Sequence, residues 1–568
     1  MKKIISIFLI SIVAFTGCDF LTEEDKGGIS NDQLYSTEAG FETLMTASYA
    51  TLRSIYGPAP WLSLGGTDMY QIGRNNSHTG MYYYALFPTD GDVTTFYRSC
   101  YESIQTLNMG LLYISYPDID ESTRKRYEAE LRFLRAYYHF ILIEQFGGIV
   151  ISDQATRTAV TSLSRSSLDE SYNFVISEME TVLNDLGNTK GRVTQDVANH
   201  FLAKVYLTRG WDKQSPSDFN KSKEYALKII NKMGDINVTY ERLWDPWEHD
   251  NNEIIFAVQY DLKSLSSRNN GTQQQAMYIN HLGGNETLQK STSTEMIIAW
   301  NLHMWYTEND NRYKVTFMDI LYERYWDYYY VEDKSALNVR AWYPRVWGRK
   351  ALAEYREDSL AFVTSHNLVD RVGGIPTLRN YYPFVEDELL YRRAIQQDFN
   401  MACVKKFDDP YTFDVREGRA SSRDVVLARL SETYYLYAEA CIATNDYSTA
   451  LTYVQKVLDR PGNLVNPSGE PLPNAFADAV AKGGSQQQIL EGFLIESAKE
   501  FIGEYNGRWP ELRRTRMLKY MLERYSFDYK SLNTSLDFDN KYNLRPIPQR
   551  AFDLNDALDP VADQNPGY

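Results

Sequence analysis

Apolar residues recur every three to four positions through several long stretches of this chain, the spacing of a helix with one buried face. The first stretch begins near Thr37, where Phe41, Leu44, Met45, Ser48, Tyr49, Leu52 and Ile55 share a face, and Gly57-Pro58 ends it. The same period predicts helices over 94–116, 121–146, 168–186, 196–209 and 219–233. Gly147-Gly148 is a C-terminal stop for the helix over 121–146. Between the first two helices, residues 65–92 read as a loop rich in Gly and Asn and studded with aromatics.

The helices fall in pairs with small residues where partners cross. Ala198, Leu202, Ala203, Tyr206 and Leu207 make one face, and Tyr225, Ala226, Ile229 and Ile230 make the next. The pattern returns late in the chain as Tyr434, Tyr437, Ala438 and Ala440, a turn at Asn445-Asp446-Tyr447, then Ala450, Leu451, Val454 and Leu458. This arrangement is tetratricopeptide-like, a scaffold suited to binding surfaces. From 237 to 421 the pattern changes: Ile254–Val258 reads as a short strand, and loops of Gly, Asn, Gln and Ser alternate with Trp and Tyr. No Pro/Ser/Gly-rich linker divides the chain. The expectation is one mainly α body over 31–568 with a few short strands, its helix-pair scaffold mainly in 31–235 and 425–520 and a loop-rich middle at 237–421.

The N-terminus follows a different plan. Met1-Lys2-Lys3, an apolar run from Ile4 to Phe15, and Thr16-Gly17-Cys18 form a secretory signal of residues 1–17. Phe15-Thr16-Gly17-Cys18 resembles a bacterial lipobox, so cleavage before Cys18 and lipidation of its thiol are expected, with several acyl chains giving a stable anchor. Residues 18–30, with Glu23-Glu24-Asp25, read as a flexible tether.

Composition narrows the partners. The 568 residues carry a formal net charge of −16 without a basic block, which disfavours nucleic acid. Aromatics reach 14%, with 44 Tyr and 10 Trp, residues that serve both buried packing and contact surfaces. Beyond Cys18, Cys100, Cys403 and Cys441 permit at most one disulfide and show no metal-ligand spacing; the helical Cys100 and Cys441 read as small buried hydrophobes. The seven histidines form no H-x-x-x-H pair, and neither G-x-S-x-G nor a Walker loop occurs. No catalytic residue, cofactor or metal site is expected, and the chain does not read as an enzyme. A glycosidase carboxylate pair is the surviving enzymatic alternative.

Several segments together carry a family resemblance. They are Ala129-Glu130-Leu131-Arg132-Phe133-Leu134-Arg135-Ala136-Tyr137-Tyr138-His139-Phe140 running to Phe146-Gly147-Gly148, Ala198 to Gly210, and Arg429 to Ala440. Glu500-Phe501-Ile502-Gly503-Glu504 follows, with Arg508-Trp509 and Leu512-Arg513-Arg514-Thr515, then Leu544-Arg545-Pro546-Ile547-Pro548 and the terminal Gln564-Asn565-Pro566-Gly567-Tyr568. In this order, behind a lipobox, they resemble the SusD/RagB family of outer-membrane lipoproteins from Bacteroidetes over essentially the whole chain. The resemblance implies four tetratricopeptide-like helix pairs supporting an irregular ligand-facing part. It also implies a lipid-anchored protein facing the cell exterior that captures oligosaccharide or polysaccharide and delivers it to a SusC-like TonB-dependent transporter. Some members bind peptides, and a peptide-binding or mainly lid-like role is the alternative.

A sugar presents apolar C–H faces and a rim of hydroxyls, so its site needs flat rings beside amides, carboxylates or guanidinium groups. Two stretches offer that mixture. The first holds Asp68, Arg74, Asn75, Tyr82 and Tyr84; the second holds Tyr278, His281, Trp305, Trp326 and Tyr328. By resemblance, family ligand sites draw on these two regions. Arg132 and Arg135, near Glu128 and Glu130, and Arg508, Arg513 and Arg514, beside Glu504, are expected to form structural ion pairs instead.

Overall fold

Polar caps fix where the helices begin. Asp120 starts one by accepting a hydrogen bond from the N–H of Thr123, and Ser167 and Ser485 form reciprocal capping boxes with Glu170 and Gln488. In the computed structural model the longer helices are α1 (Glu38–Ala50), α2 (Gly91–Tyr113), α3 (Glu121–Phe146), α4 (Leu168–Val182), α5 (Gln195–Lys213) and α6 (Pro216–Met233). After the middle region come α7 (Leu430–Ala443), α8 (Tyr447–Leu458), α9 (Ala475–Ala481), α10 (Gln486–Phe501), α11 (Arg508–Arg514) and α12 (Leu518–Tyr525). The structure describes residues 31–568 apart from 74–75, 159, 249–250, 263–270, 279–289, 291–294, 413–419, 467–468, 470, 533–535, 539–540 and most of 343–401. The signal segment, Cys18, the tether, Arg74, Asn75 and His281 lie outside the described residues.

Periodicity located the helices closely, and α3 has the expected bounds. Two helices start earlier than their apolar pattern because caps decide the first turn. Asp90 accepts from the N–H groups of Asp92 and Val93 to open α2, and Ser215 with Pro216 at the first helical position opens α6. Gly147 ends α3 at a φ of 76°, a conformation open to glycine at no steric cost.

Helices pack with their neighbours: α2 on α3, α3 on α4, α5 on α6, α7 on α8 and α9 on α10. In addition, α6 packs on α7, so the late pair extends the early array across a long interval of sequence. Small residues permit these crossings. An added Cβ on Gly210 would lie 2.7 Å from the ring of Phe219, so no larger residue fits between α5 and α6 without movement. One hydrophobic cluster runs from Phe41 to Ile547. Cys100, Cys403 and Cys441 are buried thiols.

The middle region is tied to this scaffold by short antiparallel pairs. These are β1 (Tyr70–Ile72) with β3 (Met296–Ile298), β2 (Ile254–Val258) with β8 (Val425–Arg429), β4 (Phe317–Met318) with β7 (Cys403–Val404), and β5 (Ile320–Tyr322) with β6 (Val339–Trp342). A buried charge network reinforces the join. Arg429 donates to Glu504 at 2.7 and 2.9 Å and to Glu500 and Glu253 at 2.9 Å each. Arg460 joins Glu253 and Glu500, Arg312 joins Asp310 and Glu500, and Lys406 reaches Glu504 at 2.6 Å. Four cations thus face four carboxylates, and charge balance with multiple hydrogen bonds is what makes such burial tolerable.

The expected structural arginines form ion pairs both along their own helix and across helices. Arg132 lies 3.7 Å from Glu128 one turn back, Arg132 and Arg135 both meet Glu178 of α4, and Glu130 pairs with Arg192. Arg508 pairs with Asp68 and Glu511, Arg513 with Asp212, and Arg514 with Glu439; Glu504 serves Arg429 and Lys406. Sequence spacing finds partners on one helix, and most of these lie on another.

Candidate functional site: a cleft at the head of helix α2

The β1–β3 pair brings the two aromatic-rich stretches together, with Tyr70 opposite Ile298, Gln71 opposite Ile297 and Ile72 opposite Met296. Beyond the pair, the N–H of Gly73 donates to the carbonyl of Glu295 at 3.0 Å, and the Asn76 side-chain amide donates to the same carbonyl. Asn76 Oδ1 accepts from the N–H of His78 at 2.6 Å. These bonds hold the loop that carries His78 against the first turn of α2.

His78 stacks on Trp61 with ring centroids 3.8 Å and planes 23° apart. Its Nδ1 lies 2.7 and 2.8 Å from the two oxygens of Asp92, and its Nε2 lies 3.1 Å from a carboxylate oxygen of Glu295. Burial works against a charged imidazole, but the hydrogen bonds and charges of Asp92 and Glu295 outweigh it and push its pKa up to about 9. His78 is therefore an imidazolium at neutral pH, clamped between two carboxylates.

Beside this ring pair opens a cleft of about 480 Å³, within the roughly 300–1,000 Å³ typical of small-ligand sites. Trp61, His78, Pro58, Ala59 and Phe96 contribute apolar or ring surface, and Ser54, Ser77, Thr95, Asp90 and Asp92 contribute hydroxyls and carboxylates. Ala59, between two prolines, holds a φ of 147°, a conformation costing a non-glycine residue about 1–3 kcal/mol. A Cβ added to Gly91 would meet nothing within 4 Å, so the space over the start of α2 is open. Flat rings beside short polar groups suit a ligand with both C–H faces and hydroxyls.

The expected contact residues divide sharply. Asp68 is fully buried and bonded to Arg508. Tyr82, Tyr84, Tyr278 and Trp326 are also interior. Tyr84 donates to the carbonyl of Gly66 at 2.6 Å, Tyr278 stacks on Tyr70 at 5.4 Å, and Trp326 packs edge-on against Tyr325. For these five, the expectation of ligand contact is corrected: their surfaces are spent on packing and internal bonds. Trp305 and Tyr328 are half-buried. Trp305 meets Tyr525 edge-on at 5.1 Å, and Tyr328 has the ammonium groups of Lys405 and Lys334 at 4.5 and 5.2 Å from its ring. Arg74, Asn75 and His281 lie outside the described residues.

Nothing in the local pattern marks Trp61, Ala59 or Asp92 as cleft residues, since Gly57-Pro58 has the signature of a helix stop. An aromatic residue directly after the Gly-Pro-Ala-Pro turn was the available signal. Among the described residues no cluster of three His, Cys, Asp or Glu side chains fits a metal ion, and no helix is long and apolar enough to cross a membrane.

Fold and site together describe a helical-repeat scaffold presenting an open, ring-lined cleft. The chain belongs to the SusD family: the family model matches residues 252–568, and a second model, described as starch-binding associating with outer membrane, matches residues 28–207. The SusD-like protein P2 of Formosa agariphila is 22% identical over 586 residues, covering 100% of both chains. A SusD-like protein of Bacteroides ovatus is 22% identical over 281 residues, which is 46% of this chain and 50% of that one. Among solved structures, a laminarin-binding SusD-like protein has a TM-score of 0.64 at 18% identity, covering 94% of this chain and 100% of the other. Surface glycan-binding protein A from Bacteroides thetaiotaomicron, in complex with laminarihexaose, has a TM-score of 0.64 at 17% identity, with 93% and 99% covered. At these identities the structural likeness establishes the fold.

Proposed function

We propose that this protein is a lipid-anchored glycan receptor on the outer face of the outer membrane, capturing oligosaccharide and passing it to a SusC-like TonB-dependent transporter. The observation that carries the reading is the open cleft beside the Trp61–His78 stack, which places ring faces next to hydroxyls and carboxylates. Family membership and the glycan-binding names of similar proteins support it, as does the lipobox at Cys18. Binding without turnover is supported by the state of the cleft's carboxylates. Asp90 caps α2 and Asp92 grips His78, so neither is poised as the acid of a glycosidase pair.

Calorimetry of the chain against laminarihexaose, maltohexaose and xylohexaose tests the claim. One of these should bind, and Trp61→Ala should remove most of the affinity while circular dichroism shows the variant still folded at the assay temperature. If no neutral polysaccharide binds while the protein still co-purifies with a membrane barrel, the glycan reading fails and a lid-like role takes its place. Cys18→Ala should release the protein from the membrane fraction.

A further inference from the structure

Three aromatic rings from separate segments, none of them lining the cleft, meet at the surface. Trp247 is 39% exposed, Tyr330 56% and Tyr411 47%. Trp247 lies edge-on to both tyrosines, with centroids 5.6 Å from Tyr330 and 5.0 Å from Tyr411 and planes at 73° and 87°. The rings therefore form a notch with perpendicular walls.

The support beneath them is buried and polar. Arg423, nearly fully buried, donates to the carbonyls of Asp408 at 2.9 Å and Trp244 at 3.3 Å, fastening the segment before Trp247 to the one before Tyr411. Tyr325 and Tyr329 donate to Asp408 at 2.6 and 2.5 Å, and Lys290 pairs with the same carboxylate. The Tyr330 hydroxyl donates to the carbonyl of Pro410 at 2.8 Å, and the backbone N–H of Trp247 donates to the Asp245 carboxylate at 2.8 Å. All three ring-bearing segments are thus held in place before any ligand arrives, and preorganised Tyr and Trp rings lose little entropy on binding.

We infer that the Trp247–Tyr330–Tyr411 notch is a second glycan-binding site, taking neutral pyranoses whose axial C–H groups share one face. Such a sugar lays that face on one ring and its edge against the perpendicular neighbour. Among the described residues flanking Trp247 in sequence, Asp245 and Glu248 outnumber Arg242, which disfavours uronic or sulfated chains. The inference rests on the glycan reading above. A chain long enough to engage both cleft and notch gains by effective concentration what neither site gives alone.

Native gels containing laminarin, starch, xylan or alginate, run with the full chain in detergent, test this together with calorimetry using the hexasaccharide of the retained polymer. One neutral polymer should retard the wild type. Trp247→Ala and Tyr411→Ala should each weaken that retardation about tenfold or more, as expected when one of two linked sites is lost. The hexasaccharide should occupy two sites per chain in the wild type and one in Trp247→Ala. Unchanged retardation in both variants, a single site in the wild type, or alginate as the best ligand overturns the second site while leaving the receptor reading intact. Intact retardation with loss of a co-purifying barrel assigns the notch to a protein partner and overturns it equally. If no polymer retards the wild type, the receptor reading itself fails and the notch falls with it.

Discussion

Arg508 holds Asp68 through two parallel hydrogen bonds, Nε to Oδ1 at 2.9 Å and Nη2 to Oδ2 at 2.6 Å, with both side chains buried. The pair joins the base of the 65–92 loop to α11, more than four hundred residues away in sequence. It makes a residue expected to bind ligand part of the frame that supports that loop.

Removing one partner of such a pair leaves an uncompensated buried charge. Arg508→Leu should therefore destabilise the protein by about 3–5 kcal/mol, read as a fall in the midpoint of urea denaturation. Asp68→Asn, which keeps an acceptor for Arg508, should cost less. Equal stability of Arg508→Leu and wild type would show that the pair does not bear on folding.

His78 makes a pH-dependent contribution. Its folded-state pKa of about 9 lies above the ordinary 6.5, so the contribution is complete below pH 6.5 and is lost as pH rises through about 9. The melting temperature of wild type should exceed that of His78→Gln at pH 6, and the gap should close by pH 10. A gap independent of pH would mean that the stacking on Trp61, rather than the charge, is what matters.

Asp528 titrates in the same direction over a lower pH interval. It is buried and accepts from the Ile72 N–H at 2.8 Å; burial pushes its carboxyl up to about 7, more than that hydrogen bond restores. The native state binds this proton more tightly than the unfolded chain, so stability falls as pH rises from about 4 to 7 and levels off above. Asp528→Asn retains an acceptor for Ile72 and removes the titration. Thermal melts should show its advantage over wild type growing across that interval and constant beyond it.

The buried thiols should be silent. Cys100 and Cys441 lie in helices and Cys403 in β7, all buried, and burial pushes the Cys441 thiol up to about 11 and the Cys100 thiol well above its ordinary value. A disulfide-exchange reagent should label none of the three in the native protein and all three in guanidinium. Rapid labelling of the folded chain would contradict their burial.

Helix positions were readable in advance because a single buried face repeats locally. The pattern of Phe133, Tyr137 and Phe140 needs no distant information, and α3 took the expected bounds. Helix pairing was partly readable, since Ala203 and Gly210 are small where α6 crosses, but nothing local indicated that α6 would pack on α7. Ring exposure was not readable at all. Tyr82 and Tyr83 are adjacent in the chain, yet Tyr82 is interior and Tyr83 is 37% exposed, because neighbouring side chains of a turn point into different surroundings. Trp247 drew no notice in a loop without periodicity, and it became significant only when Tyr330 and Tyr411 arrived beside it.

The sequence by itself determined the family and the mainly helical scaffold, shows no familiar catalytic motif, and carries a lipobox-like segment at Cys18. Each of these is carried by residues close together in the chain or by an ordered set of motifs. Tertiary structure alone decided which aromatics face solvent, which carboxylate each buried arginine meets, and where the cleft opens. Those outcomes depend on contacts between segments hundreds of residues apart, and a Tyr or Trp has the same composition whether its face is packed against Phe or left open for a sugar.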